Sequence, residues 1–151
     1  MLRRKPQELP YSTMLLGIVL SLHLLLGLLV YQLQYPFLPA VAAALTGTFI
    51  LSALSYTVLY MNGVAPRFVQ TLSALAGTDI LIGLMSIPII TMGASGPSSL
   101  LYLTVLVWNL SVATHILRHA LDVSVMQGLV FALIFFMFTM MVLRAILPVA
   151  I

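Results

Sequence analysis

The sequence contains no cysteine, which excludes disulfides, thiolate metal ligation and cysteine nucleophiles. Charge is nearly as scarce. Of 151 residues, 6% are Asp, Glu, Lys or Arg while 62% are hydrophobic, and the acids are only Glu8, Asp79 and Asp122. A water-soluble domain carries about 25% charged residues. With a mean hydropathy of +1.19, this chain has too few polar atoms to cover a water-facing surface, and lipid has to be its solvent. No nucleophile stands beside a general base and no phosphate-binding loop occurs, so an enzyme is not expected. The net charge of +3 does not indicate nucleic acid either, because three of the six basic residues are Arg3, Arg4 and Lys5, directly before the first apolar run. Such a cluster is the usual cytoplasmic flank of a membrane helix.

What is present is five apolar runs, each near the ~20 residues that cross a ~30 Å hydrocarbon core. They read as helices over about 12–34, 39–60, 68–92, 99–121 and 123–147 of one transmembrane domain, 1–151. The first run is too long for a signal-peptide core of roughly 7–15 residues, so an uncleaved helix is expected. Pro36 and Pro39 resist helix continuation and mark the first turn. Asn62-Gly63 marks the second. Gly93 to Ser98 form the third, with Ser98 or Ser99 as a cap. The fourth, at Arg118 to Asp122, is the shortest. Segments four and five together would far exceed the membrane thickness as a single helix.

The few charges set an orientation. With the N-terminus in the cytoplasm and the C-terminus outside, Arg3, Arg4, Lys5, Arg67 and Arg118 fall on the cytoplasmic side and only Arg144 falls outside. The reverse orientation breaks the positive-inside rule five times.

Ionisable residues at membrane depth are costly and point to function. At ~1.5 Å per residue from the cytoplasmic boundary, Asp79 lies roughly 18 Å deep, His23 about 16 Å and Asn109 about 13 Å. Thr46 and Thr48 come out at roughly 18 to 21 Å. These five residues from four segments form one mid-membrane polar layer, with Asp79 and His23 expected as interhelical partners. Two readings stay open: polar contacts that hold helices together, or an ion or proton site. A second cluster, His115, Arg118, His119 and Asp122, lies at the cytoplasmic end of segment four, where cations suit the helix dipole. His115 and His119 share a helix face. A zinc site needs a third protein ligand, which Asp122 supplies only if the helix persists, so no metal is expected. No cofactor is expected either: His23 and His115 lie at different depths and cannot ligate one haem together, which leaves His23 only as a single axial ligand. Gly77, Gly83, Ala43 and Gly47 permit close helix approach. Trp108 is expected inside the bundle, and the Phe131 to Met141 group facing lipid.

Arg67-Phe68-Val69-Gln70-Thr71-Leu72, Trp108-Asn109-Leu110 and His115-Ile116-Leu117-Arg118-His119-Ala120-Leu121 give the chain a resemblance to small bacterial inner-membrane proteins grouped with the Yip1-like domain. That resemblance implies a five-helix, all-α membrane bundle with a cytoplasmic N-terminus and an external C-terminus. It implies no catalytic residues. The eukaryotic members look like trafficking scaffolds, although their long N-terminal region is missing here. The expected function is therefore a non-enzymatic scaffold or accessory subunit in a bacterial inner membrane. It would act through a membrane-protein partner or self-association within the lipid bilayer, without nucleic acid. The alternative is a small transporter or proton-coupled component that uses Asp79 and His23.

Overall fold

The computed structural model describes residues 12–92 and 96–147. Arg3, Arg4 and Lys5 lie outside them, as does the 93–95 part of the third loop. Five helices follow one another: α1 (Thr13–Gln32), α2 (Phe37–Met61), α3 (Phe68–Thr91), α4 (Gly96–Leu121) and α5 (Val125–Ile146), with a short 3₁₀ turn, Ala65–Arg67, leading into α3. All five are long and apolar enough to cross a membrane.

Local chemistry places the ends. Ser12 caps α1 by accepting from the Leu15 N–H, and Ser124 and Gln127 form a reciprocal capping box at the start of α5. Helix α2 ends with Gly63 at φ 72, the Gly63 N–H donating to the Tyr60 carbonyl and the Val64 N–H to Leu59. This is a Schellman turn, which glycine enters without steric cost. Helix α4 ends the same way with Asp122 at φ 54 and the Val123 N–H donating to the Arg118 carbonyl. A true turn therefore separates α4 from α5.

Two starts differ from the sequence reading. Helix α2 begins at Phe37 with Pro36 as its cap. Pro39 thus sits in the first turn, where its missing N–H would have had no intrahelical partner. Helix α4 begins at Gly96, so Ser98 and Ser99 are inside the helix rather than capping it. Pro88 does not end α3, which runs on to Thr91.

The helices form a ring in the order α1, α3, α4, α5, α2 and back to α1. Helices α2 and α3 also meet at their shared turn, where the Tyr56 and Phe68 rings stand edge to face with centroids 5.5 Å apart. Away from that turn α1 wedges between them. Gly27 lies against Ala44, and Leu26 against Gly83, where an added Cβ would come within 2.8 Å of the leucine side chain. The tightest approach joins α5 to α4: a Cβ on Gly128 would stand 2.8 Å from Arg118 Cβ and 2.9 Å from the Thr114 carbonyl oxygen. Of the small residues expected at interfaces, Ala43 is fully buried and Gly83 is in contact. Gly47 and Gly77 have open space where a Cβ would be.

The packed core is concentrated at the end that holds the α2–α3 and α4–α5 turns. Leu59, Ala120 and Leu121 pack there with Val64, Phe68 and Phe131. One layer further in come Leu75, Val112, Ile116, Leu117, Ala132 and Phe135. Phe135 is thus inward-facing, contrary to a wholly lipid-facing aromatic group, while Met137, Phe138 and Met141 are exposed. Trp108 also corrects the sequence reading: it is 44% exposed on the outside of α4.

Gly128→Ala is expected to destabilise the bundle by about 1–3 kcal/mol, because the atoms in the way include backbone and α5 must shift to admit a methyl group. Gly77→Ala, which meets nothing, should be neutral or stabilising. Survival of the monodisperse peak after heating in detergent, followed by size-exclusion chromatography, would rank the two; an equal ranking refutes the close-approach assignment.

Candidate intramembrane cavity

Beyond the packed core the ring holds a cavity of about 1010 Å³, lined by residues from all five helices. Each helix contributes a stripe of helical period. From α1 and the turn after it these include His23, Leu26, Gly27, Val30, Tyr31 and Gln34; from α3, Leu75, Asp79, Ile82, Gly83 and Ser86; from α4, Tyr102, Leu106, Asn109 and Ala113. Helix α2 presents Ala44, Gly47 and Leu51, and α5 presents Phe135, Phe136 and Thr139. The walls reach Leu33 and Gln34, which are exposed, so the cavity comes to the surface at the end opposite the packed core.

Three of the five residues of the predicted polar layer, His23, Asp79 and Asn109, line this one space. Thr46 and Thr48 do not. Gly47 faces the cavity, and its neighbours are turned about 100° to either side of it. Thr48 donates to the Ala44 carbonyl of its own helix instead. Asp79 and His23 share the cavity, but among the described residues no ion pair joins them; the one ion pair is elsewhere. Asp79 shares the chamber with the phenols of Tyr31 and Tyr102. No Lys or Arg side chain is among the lining residues. The site is thus a mostly apolar chamber with one carboxyl group, one imidazole, two amides and two phenols.

No family model, curated protein or solved structure matches this chain. What the chamber does has to be read from its own residues.

Tyr102, Ser86 and Thr139 carry no motif in the sequence, and Ser99 reads there only as a helix cap. Their signal is positional: Ser99, Tyr102, Leu106, Asn109 and Ala113 fall three or four residues apart, the spacing of one helix face. Tyr31 and Gln34, which suit a membrane interface, stand where α1 borders the mouth.

The second predicted cluster sits at the closed end. His115 and His119 contact each other with ring centroids 4.5 Å apart, while His115 Nε2 is buried without a hydrogen-bond partner. Asp122 pairs elsewhere. The turn at φ 54 carries its carboxylate to Arg67, whose Nη1 donates to Asp122 Oδ2 at 2.6 Å and to the Ala120 carbonyl oxygen at 2.8 Å. Arg67 therefore ties the α2–α3 turn to the α4–α5 turn and satisfies a carbonyl at the end of α4. Among the described residues no three His, Asp or Glu side chains are grouped to hold a metal ion.

The pair is partly solvated, with side-chain exposures of 31% and 65%, so Asp122→Asn should cost only about 0.2–1 kcal/mol. Arg67→Ala should cost roughly 1 kcal/mol more, because it also leaves the Ala120 carbonyl without its charged donor. Unfolding titrations in detergent check the order; Asp122→Asn proving the costlier change would show that the carbonyl contact contributes nothing.

Proposed function

We propose that the chain is a non-enzymatic solute-binding protein of a bacterial inner membrane, a small carrier or the binding subunit of one, with the cavity as its binding site. The observation that carries this reading is an unpaired carboxyl group, Asp79, facing a chamber of about 1010 Å³ between five membrane-type helices. Ligand sites generally enclose about 300–1,000 Å³, with apolar walls and a few convergent polar groups. A carboxyl group serving only to hold helices together would have a partner on a neighbouring helix. Among the described residues Asp79 has no hydrogen-bond or ion-pair partner on a neighbouring helix.

The orientation belongs to the same proposal. Helix α1 starts at the closed end, where Arg67 and Arg118 also lie, and the positive-inside rule assigns that end to the cytoplasm. The mouth then opens to the outside, and the packed leucines and the Arg67 tether close the inner end. Passage across the bilayer requires that inner layer to part.

The absence of cysteine makes single-cysteine probing direct. In the full chain, Asn109→Cys lines the cavity while Val107→Cys, on the same helix, is exposed on its outer side. A membrane-impermeant trimethylammonium methanethiosulfonate reagent added to intact cells is expected to modify Asn109→Cys at least about tenfold faster than Val107→Cys, since thiolates form in water and not in lipid. Adding Gly47→Leu should slow it, because that position has room for a side chain and faces the same space. Equal rates at the two cysteines overturn the cavity reading. In that case, a stoichiometric companion retained in mild detergent would favour the scaffold role that the Yip1-like resemblance implies.

A further inference from the structure

Resting on the cavity reading, we infer that the ligand is a lipophilic monocation, an amine or quaternary onium ion carrying rings or chains, seated with its charge against Asp79. Three observations on the lining converge on that class. The first is charge: Asp79 is its only acid, no Lys or Arg accompanies it, and no ion pair reaches it from His23. An anion entering this space would meet no fixed positive charge. A zwitterionic phospholipid is disfavoured for the same reason, since its phosphate would lie near a carboxyl group with nothing to balance it.

The second is the position of the tyrosines. Tyr31 and Tyr102 lie on α1 and α4, the two helices that flank α3 in the ring, and both line the chamber that Asp79 faces. Aromatic faces attract organic cations, and more strongly where water is excluded. The third is the remainder of the wall. Leu26, Leu75, Ile82, Leu106 and Phe135 offer apolar surface for the ligand's body, which a small hydrated inorganic cation would leave unused. A strongly hydrated ion also brings its own water to a chamber with few polar groups to replace it. A lipophilic onium ion has spread its charge over carbon and loses far less on leaving water.

Tetraphenylphosphonium and tetraphenylborate are ions of nearly one size and opposite charge, and neither titrates. Equilibrium dialysis against the full chain in phosphatidylcholine nanodiscs, with empty nanodiscs subtracted, separates binding from partition into lipid. The expected result is saturable binding of the phosphonium, stronger than that of the borate by roughly tenfold or more, and weakened by a similar factor in Asp79→Asn, because an unbalanced buried charge is strongly disfavoured. If Asp79→Asn does not fold, His23→Lys supplies the same test from the neighbouring helix α1: it should weaken the phosphonium and strengthen the borate. Equal saturable binding of both ions, unchanged in Asp79→Asn or His23→Lys, overturns the cation assignment and leaves the cavity reading standing. The absence of saturable binding of either ion also overturns the assignment, and the cavity reading falls with it only if Asn109→Cys is as unreactive as Val107→Cys.

Discussion

Lipid tails are as apolar as leucine, so moving Leu59 or Leu117 from lipid into the bundle gains little from the hydrophobic effect. The helices hold together only where their backbones come close enough for dispersion contacts to accumulate, and at the few points where charge links them. In this chain those points are unevenly distributed. Gly128 against Arg118 and Thr114, Ala120 against Leu59, and Arg67 on Asp122 and Ala120 all lie toward one end. At the other end α1 is held by Gly27 on Ala44 and Leu26 on Gly83. The remaining width of the ring is not closed by packing, and the chamber follows from that asymmetry.

The polar side chains divide along the same line. Most hydroxyls in the helices donate to a carbonyl three or four residues back on their own helix, as do Thr48, Ser52, Thr71, Ser73, Thr78, Ser86 and Ser111. A hydroxyl bonded in this way is satisfied locally and contributes nothing to helix association. The polar-contact explanation of the mid-membrane layer loses its best candidates there. What is left of that layer faces the chamber: Asp79, His23 and Asn109.

The sequence made the helices legible because each apolar run matches the membrane thickness, and the turns because Asn62-Gly63 and the prolines act locally. Helix counting brought Asp79, His23 and Asn109 to one level, and they do share one space. Counting measures depth but not direction around the helix, which explains why Thr46 and Thr48 were drawn in although they point away from Gly47's face. The same limit misplaced Trp108, which lies on the outer side of α4. The Asp122 turn was hidden for another reason: a non-glycine residue at positive φ has little sequence signature, and only the partner across the turn, Arg67, explains why an aspartate stands there.

The two acidic residues of the described helices and turns thus have opposite situations within one fold. Asp122 lies at the packed end, half in water, and its charge is balanced by Arg67 at 2.6 Å. Asp79 lies in the chamber with no basic partner, although His23 borders the same space and the chain offers basic residues at the helix ends. Burying a carboxyl group without compensation is destabilising, and a bundle that needed only to hold together would be more stable with leucine at that position. Among the described residues Asp79 borders the cavity without an ion-pair partner, so no salt bridge offsets its desolvation as Arg67 does for Asp122.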